Sequence, residues 1–221
     1  MAITILEERP LGAQTVRGTV LFVDLRGYTT LAEGLSPDTV AALLEEFFST
    51  LTPSVDRNGG TVFHLAGDSL MAGFGLADDS VAPVRAAIDA SRAMIAAFQP
   101  VAINWERRLG IPTGIGVGVH VGNLAFVTLG PPSLRRSTLV GDTVNVAARL
   151  CQRARAGEVL FSAGVAASLD PATAGDVIPL PALALRGRAS PVAIYCVPAP
   201  ARAGALIRHD EMIAVPPAQN S

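Results

Sequence analysis

The chain has 221 residues, half of them apolar and only 16% charged, with a formal net charge of -2. That is enough for one sizeable core and too apolar for a disordered chain. The near balance of charge leaves no basic footprint for nucleic acid, so a polyanionic ligand would have to be held by a few placed cations.

Two widely separated cysteines, Cys151 and Cys196, match no metal spacing and read as buried hydrophobes in a reducing compartment. No charged-then-apolar leader opens the sequence. The most apolar stretch, 111–129, contains Pro112, several glycines, His120 and Asn123, which suits strands rather than a spanning helix. The expectation is a cytoplasmic module with no membrane segment in this chain, compatible with upstream sensor domains in a longer parent protein.

Residues 1–15 read as a lead-in. The run Val20, Leu21, Phe22, Val23 predicts a buried strand over 16–25, ending at Asp24 beside an Arg26-Gly27 turn. Ser36 and Pro37 suit the start of a helix. Val40, Leu43, Leu44, Phe47, Phe48 and Leu51 then carry it at three- and four-residue spacing, with Pro53 expected to kink or shorten it. Asn58-Gly59-Gly60 is a stop. Strands at 61–66 and 70–74 flank a Gly67-Asp68 hairpin turn. An alanine-rich helix follows over 80–98, then strands at 114–121 and 123–129. A helix over 142–154 has Gly157 as its stop, and short strands cover 158–161, 177–185 and 192–197. This order predicts a ferredoxin-like α+β fold (βαββαβ), a mainly antiparallel sheet with helices on one face. One domain over 16–198 is expected between the lead-in and a flexible tail over 199–221.

Asp24 and Asp68 each follow an apolar strand at a turn. With the first and second strands side by side, the two carboxylates face one another. Such a pair without histidine or cysteine favours Mg²⁺ or Mn²⁺, and two such ions can clamp a triphosphate for in-line displacement. The plainer reading of each aspartate is a turn residue.

Three blocks weigh on that choice. Leu21-Phe22-Val23-Asp24-Leu25-Arg26-Gly27-Tyr28-Thr29 resembles the first metal motif of class III adenylate and guanylate cyclases. Gly67-Asp68-Ser69-Leu70-Met71-Ala72-Gly73-Phe74-Gly75 resembles their second. Residues 139–150, Leu-Val-Gly-Asp-Thr-Val-Asn-Val-Ala-Ala-Arg-Leu, resemble their transition-state helix. The blocks stand in the family's order at about its intervals.

The resemblance implies a homodimer that makes 3′,5′-cyclic AMP and pyrophosphate from ATP, with GTP as the alternative substrate. It implies two Mg²⁺ or Mn²⁺ ions per site on Asp24, Asp68 and the Leu25 carbonyl, with Gly27, Tyr28 and Thr29 near the phosphates. Asn145 would orient the ribose and Arg149 would stabilise charge at the α-phosphate, both from the subunit opposite the metal aspartates. Arg186 stands where the family has a triphosphate-binding lysine, and Arg135 or Arg136 would add a further phosphate contact.

Base selection departs from the family pattern. His64 occupies the position of the adenine-reading lysine, and Thr138 its partner position, as in the bacterial class IIIb subgroup, whose members mostly make cAMP. An imidazole both donates and accepts when neutral, so His64 would bind the base in a loose, pH-sensitive way, or it fills core beside Phe63. Replacement of the lysine also fits a second reading, a cyclase-like dimerisation or regulatory module of little activity. The run Gly114-Ile115-Gly116-Val117-Gly118 lacks a dinucleotide-binding context and reads as close strand packing.

Overall fold

The computed structural model describes residues 14–76, 82–170, 177–184 and 190–198. The apolar run around Val20 lies in β1 (Gln14–Arg26), which is followed by a short helix α1 (Tyr28–Gly34). Helix α2 (Pro37–Arg57) starts where Ser36 Oγ accepts the Thr39 amide at 3.4 Å. Pro53 does not end it. The helix runs a full turn beyond the ring, which removes one backbone bond, and Arg57 Nε donates to the Pro53 carbonyl at 3.0 Å.

The hairpin β2 (Thr61–Ala66) and β3 (Ser69–Phe74) turns at Gly67, φ 54°. Helix α3 (Pro83–Leu109) continues past the predicted stop, through Pro100, to Gly110 at φ 70°. The two strands predicted over 114–129 are one, β4 (Gly114–Leu129), with Gly122 inside it. A short 3-10 turn (Pro132–Leu134) then leads to β5 (Arg136–Val140), which the sequence reading lacked. Helix α4 (Asp142–Arg153), β6 (Val159–Ser162), one turn of helix α5 (Ala163–Ala166), β7 (Ile178–Leu183) and β8 (Val192–Val197) complete the described chain. Gly157 lies in the turn before β6, and its amide donates to the Ile115 carbonyl at 2.7 Å rather than capping α4.

The fold is α+β, with strand order β2-β3-β1-β4-β6-β8-β7 and β5 paired to β4. Every pairing is antiparallel except β4 with β6. Strand β1 lies between β3 and β4 and does not pair with β2, so the first and second strands are not side by side.

Side-chain alternation divides the sheet into two faces. Leu21, Val23, Leu70, Val117, Val119 and Phe161 point to the main core, which α2 and α3 cover with Phe47, Leu51, Met94, Phe98 and Trp105. Trp105 Nε1 donates to Glu46 at 2.8 Å and ties the two helices together. The helices are not confined to that face. Helix α4 covers the other, against Val20, Met71, Leu124, Phe126 and Leu139. Burial of each such side chain contributes about 1.5–3 kcal/mol.

Candidate active site

Asp24 is one of the β1 residues that face α4, since even-numbered residues of β1 share that face with Val20. Its backbone partner is Ser69, the first residue after the hairpin turn. The next amide, Leu25 N–H, donates to the Asp68 carbonyl at 3.1 Å, which fastens the turn to the end of β1. The two aspartates are therefore brought together, although through β3 rather than β2. Burial pushes the Asp24 carboxyl above its ordinary value; the Arg26 guanidinium draws it down, and the Asp68 charge raises it further. Leu25 itself is buried in the core.

Arg26 lies two residues from Asp24 and so on the same face. Its Nη1 is 2.7 Å from Asp24 Oδ1, with both side chains about a quarter exposed (26% and 27%). Its Nη2 donates to the Cys151 carbonyl in the last turn of α4. Sequence reasoning gave Arg26 no role. The two-residue spacing put it beside Asp24, but nothing in the sequence placed the end of α4 there.

Gly27, at φ 85°, turns the chain from β1 into α1, so Tyr28 and Thr29 form the first turn of that helix. A side chain at Gly27 would also meet the Pro112 carbonyl at 2.9 Å.

Helix α4 rests on bare backbone. A Cβ at Gly118 would sit 2.1 Å from the Cys151 nitrogen, and one at Gly122 2.6 Å from Thr143 Oγ1. Thr143 Oγ1 donates to the Asn123 carbonyl at 2.6 Å. The glycine run thus serves close packing, and its partner is a helix. Val146, Ala147, Leu150 and Cys151 are buried beneath α4. That leaves Asn145 exposed and Arg149 half-buried, four apart along one flank.

His64 is exposed, which removes the core-filling reading. It follows a bulge in the edge strand β2, where the register shifts between Val62 and His64. The intervening Phe63 turns inward, edge-on to Phe126 at 5.6 Å. Thr138, half-buried on β5, pairs with Val127, and β5 also touches β2. The strands bearing His64 and Thr138 therefore adjoin within one chain. Arg135 and Arg136 are both exposed between the 3-10 turn and β5. Arg186 lies outside the described residues.

A sequence model of the adenylate and guanylate cyclase catalytic domain matches residues 13–197. An adenylate cyclase of Anabaena cylindrica is 33% identical over 139 residues, 62% of this chain and 27% of that protein. Adenylate cyclase 1 of Rhizobium meliloti is 35% identical over 135 residues, 60% of this chain and 20% of that protein. The chain therefore spans about a quarter of the length of these curated relatives. Among solved structures, the adenylyl cyclase CyaB of P. aeruginosa superposes with a TM-score of 0.78 at 27% identity, covering 87% of this chain and 98% of that one. The guanylyl cyclase Cya2 shares the fold, with a TM-score of 0.74 at 24% identity over 89% of this chain and 98% of that one.

Proposed function

The chain belongs to the adenylate and guanylate cyclase catalytic-domain family, and we propose that it converts ATP to 3′,5′-cyclic AMP and pyrophosphate at sites shared between two copies. The observation that carries this reading is the fastening of the Asp68 turn to the end of β1 beside Asp24, with Asn145 and Arg149 left on the open flank of α4.

The donor set fits hard cations. Two carboxylates adjoin, and a guanidinium is already drawn onto one of them. Among the described residues no group of three His, Cys, Asp or Glu gathers for a metal, so the protein offers an open carboxylate seat rather than a cage. That suits Mg²⁺ or Mn²⁺, which keep positions for substrate phosphates. Asp24, Asp68 and the Leu25 carbonyl would hold two ions, whose chemistry is to activate the 3′-oxygen and neutralise the triphosphate.

In the reaction the ribose 3′-oxygen bonds to the α-phosphorus, the bond to the β-phosphate breaks, and the hydroxyl proton passes to solvent. Arg149 of one copy binds the α-phosphate oxygens with a fork that stays charged, while Asn145 fixes the ribose. Asp24 and Asp68 come from the other copy. Gly27, Tyr28 and Thr29 lie where the phosphates would run, with Arg186 and one of Arg135 and Arg136 supplying further positive charge.

The adenylate cyclases among the relatives and Thr138 favour ATP. Exposed His64, in place of a lysine, supports a second reading in which GTP or both purines are used. A regulatory module without turnover is disfavoured, because both aspartates and the Asn145–Arg149 pair are retained.

The test is turnover of the purified chain with ATP or GTP and Mn²⁺ or Mg²⁺, the products resolved by chromatography. Metal-dependent cAMP that disappears in Asp24→Ala and in Arg149→Ala is the expected result. A cGMP product overturns the base assignment, and no product from a confirmed dimer overturns the enzyme reading. Among the described residues no helix is long and apolar enough to cross a membrane.

A further inference from the structure

Arg26 joins two elements that the proposed chemistry keeps apart. One arm of its guanidinium, Nη1, is 2.7 Å from Asp24 Oδ1. The other, Nη2, donates to the Cys151 carbonyl and lies 3.8 Å from Cys151 Sγ. That carbonyl belongs to the last turn of α4, where it also accepts the Ala154 amide at 3.1 Å and where the helix dipole favours a cation.

The side chain lies flat over Gly116. A Cβ there would sit 2.6 Å from Arg26 Nη2, 2.7 Å from Nε and 2.8 Å from the Ala154 carbonyl. Thr113 Oγ1 fixes the Arg26 backbone by donating to its carbonyl at 2.8 Å. Arg26 Nε is buried with no hydrogen-bond partner, so the guanidinium is held by its two ends alone.

We infer that Arg26 is a positioning residue that couples the Asp24 carboxylate to the end of α4 within each subunit. The inference rests on the proposed two-subunit site. There, Asp24 of one chain serves one site while Arg149, two residues before Cys151, serves the other. Whatever draws Asp24 away from Arg26, a divalent cation above all, changes the hold on the helix that works across the dimer. The two sites of a dimer thus communicate through a single side chain in each subunit.

The two arms have separable consequences. At the aspartate, Arg26 is a positive charge competing with the metal, so its removal tightens the metal requirement toward lower concentrations. At the helix, it is an anchor, and its removal lets the catalytic flank wander, which lowers turnover. A role in general stability would not split in this way.

The experiment mixes two inactive chains so that only one site per mixed dimer is intact. The Arg149→Ala chain supplies the metal aspartates, and an Asp68→Ala chain, which keeps the Asp24–Arg26 bridge, supplies Arg149. Arg26→Gln is then placed on one or the other. On the Asp24-supplying chain it is expected to lower the Mn²⁺ concentration for half-maximal rate about threefold to tenfold, with kcat within twofold. On the Arg149-supplying chain it is expected to lower kcat about tenfold or more, with the Mn²⁺ requirement unchanged. Unchanged kcat in the second placement overturns the inference, as does an equal loss in both. An inactive mixture with Arg26 intact refutes the two-subunit reading instead.

A second readout needs neither turnover nor a dimer. Amide hydrogen exchange across residues 150–154 is expected to be about tenfold faster in Arg26→Gln, and also faster in Asp24→Asn, which frees the other end of the bridge. Arg26→Lys, which keeps the charge but lacks the fork, is expected to retain the Asp24 pairing and still loosen α4. Unaltered exchange in Arg26→Gln and Asp24→Asn overturns the coupling even where the mixed chains cannot be assayed.

Discussion

Substitution of Gly118 by alanine probes how α4 is seated. The added Cβ would meet the Cys151 nitrogen at 2.1 Å, the Ala147 carbonyl oxygen at 2.4 Å and the Cys151 Cα at 2.7 Å. All three are backbone atoms, so no side chain can swing aside. To restore an ordinary contact of 3.4 Å the nearest pair must open by about 1.3 Å, which means that the helix itself recedes. Overpacking of this kind costs about 1–3 kcal/mol. For a domain of this size that lowers Tm by roughly 3–10 °C. Arg149 and Asn145 ride on the same helix, and a displacement near 1 Å costs about a hundredfold in rate. Circular-dichroism melting and cyclic-nucleotide formation are the assays. Gly34→Ala is the control: it lies at a helix end, and nothing stands within 4 Å of the added carbon, so Tm should hold or rise slightly. A Gly118→Ala chain with wild-type Tm and turnover would refute the packing of α4 on β4.

Three further outcomes are expected. A raised folded-state pKa means that the folded chain holds the Asp24 proton more tightly than the unfolded chain, so ionised Asp24 detracts from metal-free stability at neutral pH. The contribution of the protonated carboxyl is complete below the ordinary value and lost as pH rises through the raised one. Asp24→Asn should therefore melt at or above wild type at pH 7 without metal, the gap closing as pH falls toward 4, while Mn²⁺ should stabilise only the wild type; a variant that melts lower at pH 7 contradicts this. His64→Ala should change the ATP-to-GTP rate ratio by about fivefold, the worth of one hydrogen bond, and an unchanged ratio removes His64 from base selection. Burial pushes the thiols of Cys151 and Cys196 up to about 12, so neither should react with an alkylating reagent at pH 8 until the protein unfolds. Rapid labelling of the native protein would count against their burial.

Much of the fold was legible because its signals are local. Ser36 and Pro37 mark the start of α2, Gly67-Asp68 marks the hairpin, and the apolar runs mark β1 and β3. What escaped depends on partners distant in the sequence. Strand β5, Arg-Ser-Thr-Leu-Val, is short and mostly polar, and becomes a strand only because β4 offers it an edge. Gly122 reads as a break, yet β4 passes through it because Thr143 packs there and bonds to the Asn123 carbonyl. The helices were expected on one face because nothing in the spacing of Gly114, Gly116, Gly118 and Gly122 reveals that a helix needs that surface. In the site, Asp24 and Asp68 were visible as strand-end carboxylates, but the strand that brings them together was misassigned. Arg26 stood inside the motif, and its role depends on where the end of α4 lies.

The most direct test of the central claim is cyclic-nucleotide formation by an equimolar mixture of the Asp68→Ala and Arg149→Ala chains, each inactive alone. Random pairing leaves one intact site in half of the dimers, so about a quarter of wild-type activity should return. A mixture that stays inactive while the chains demonstrably exchange partners would contradict a site built from two subunits.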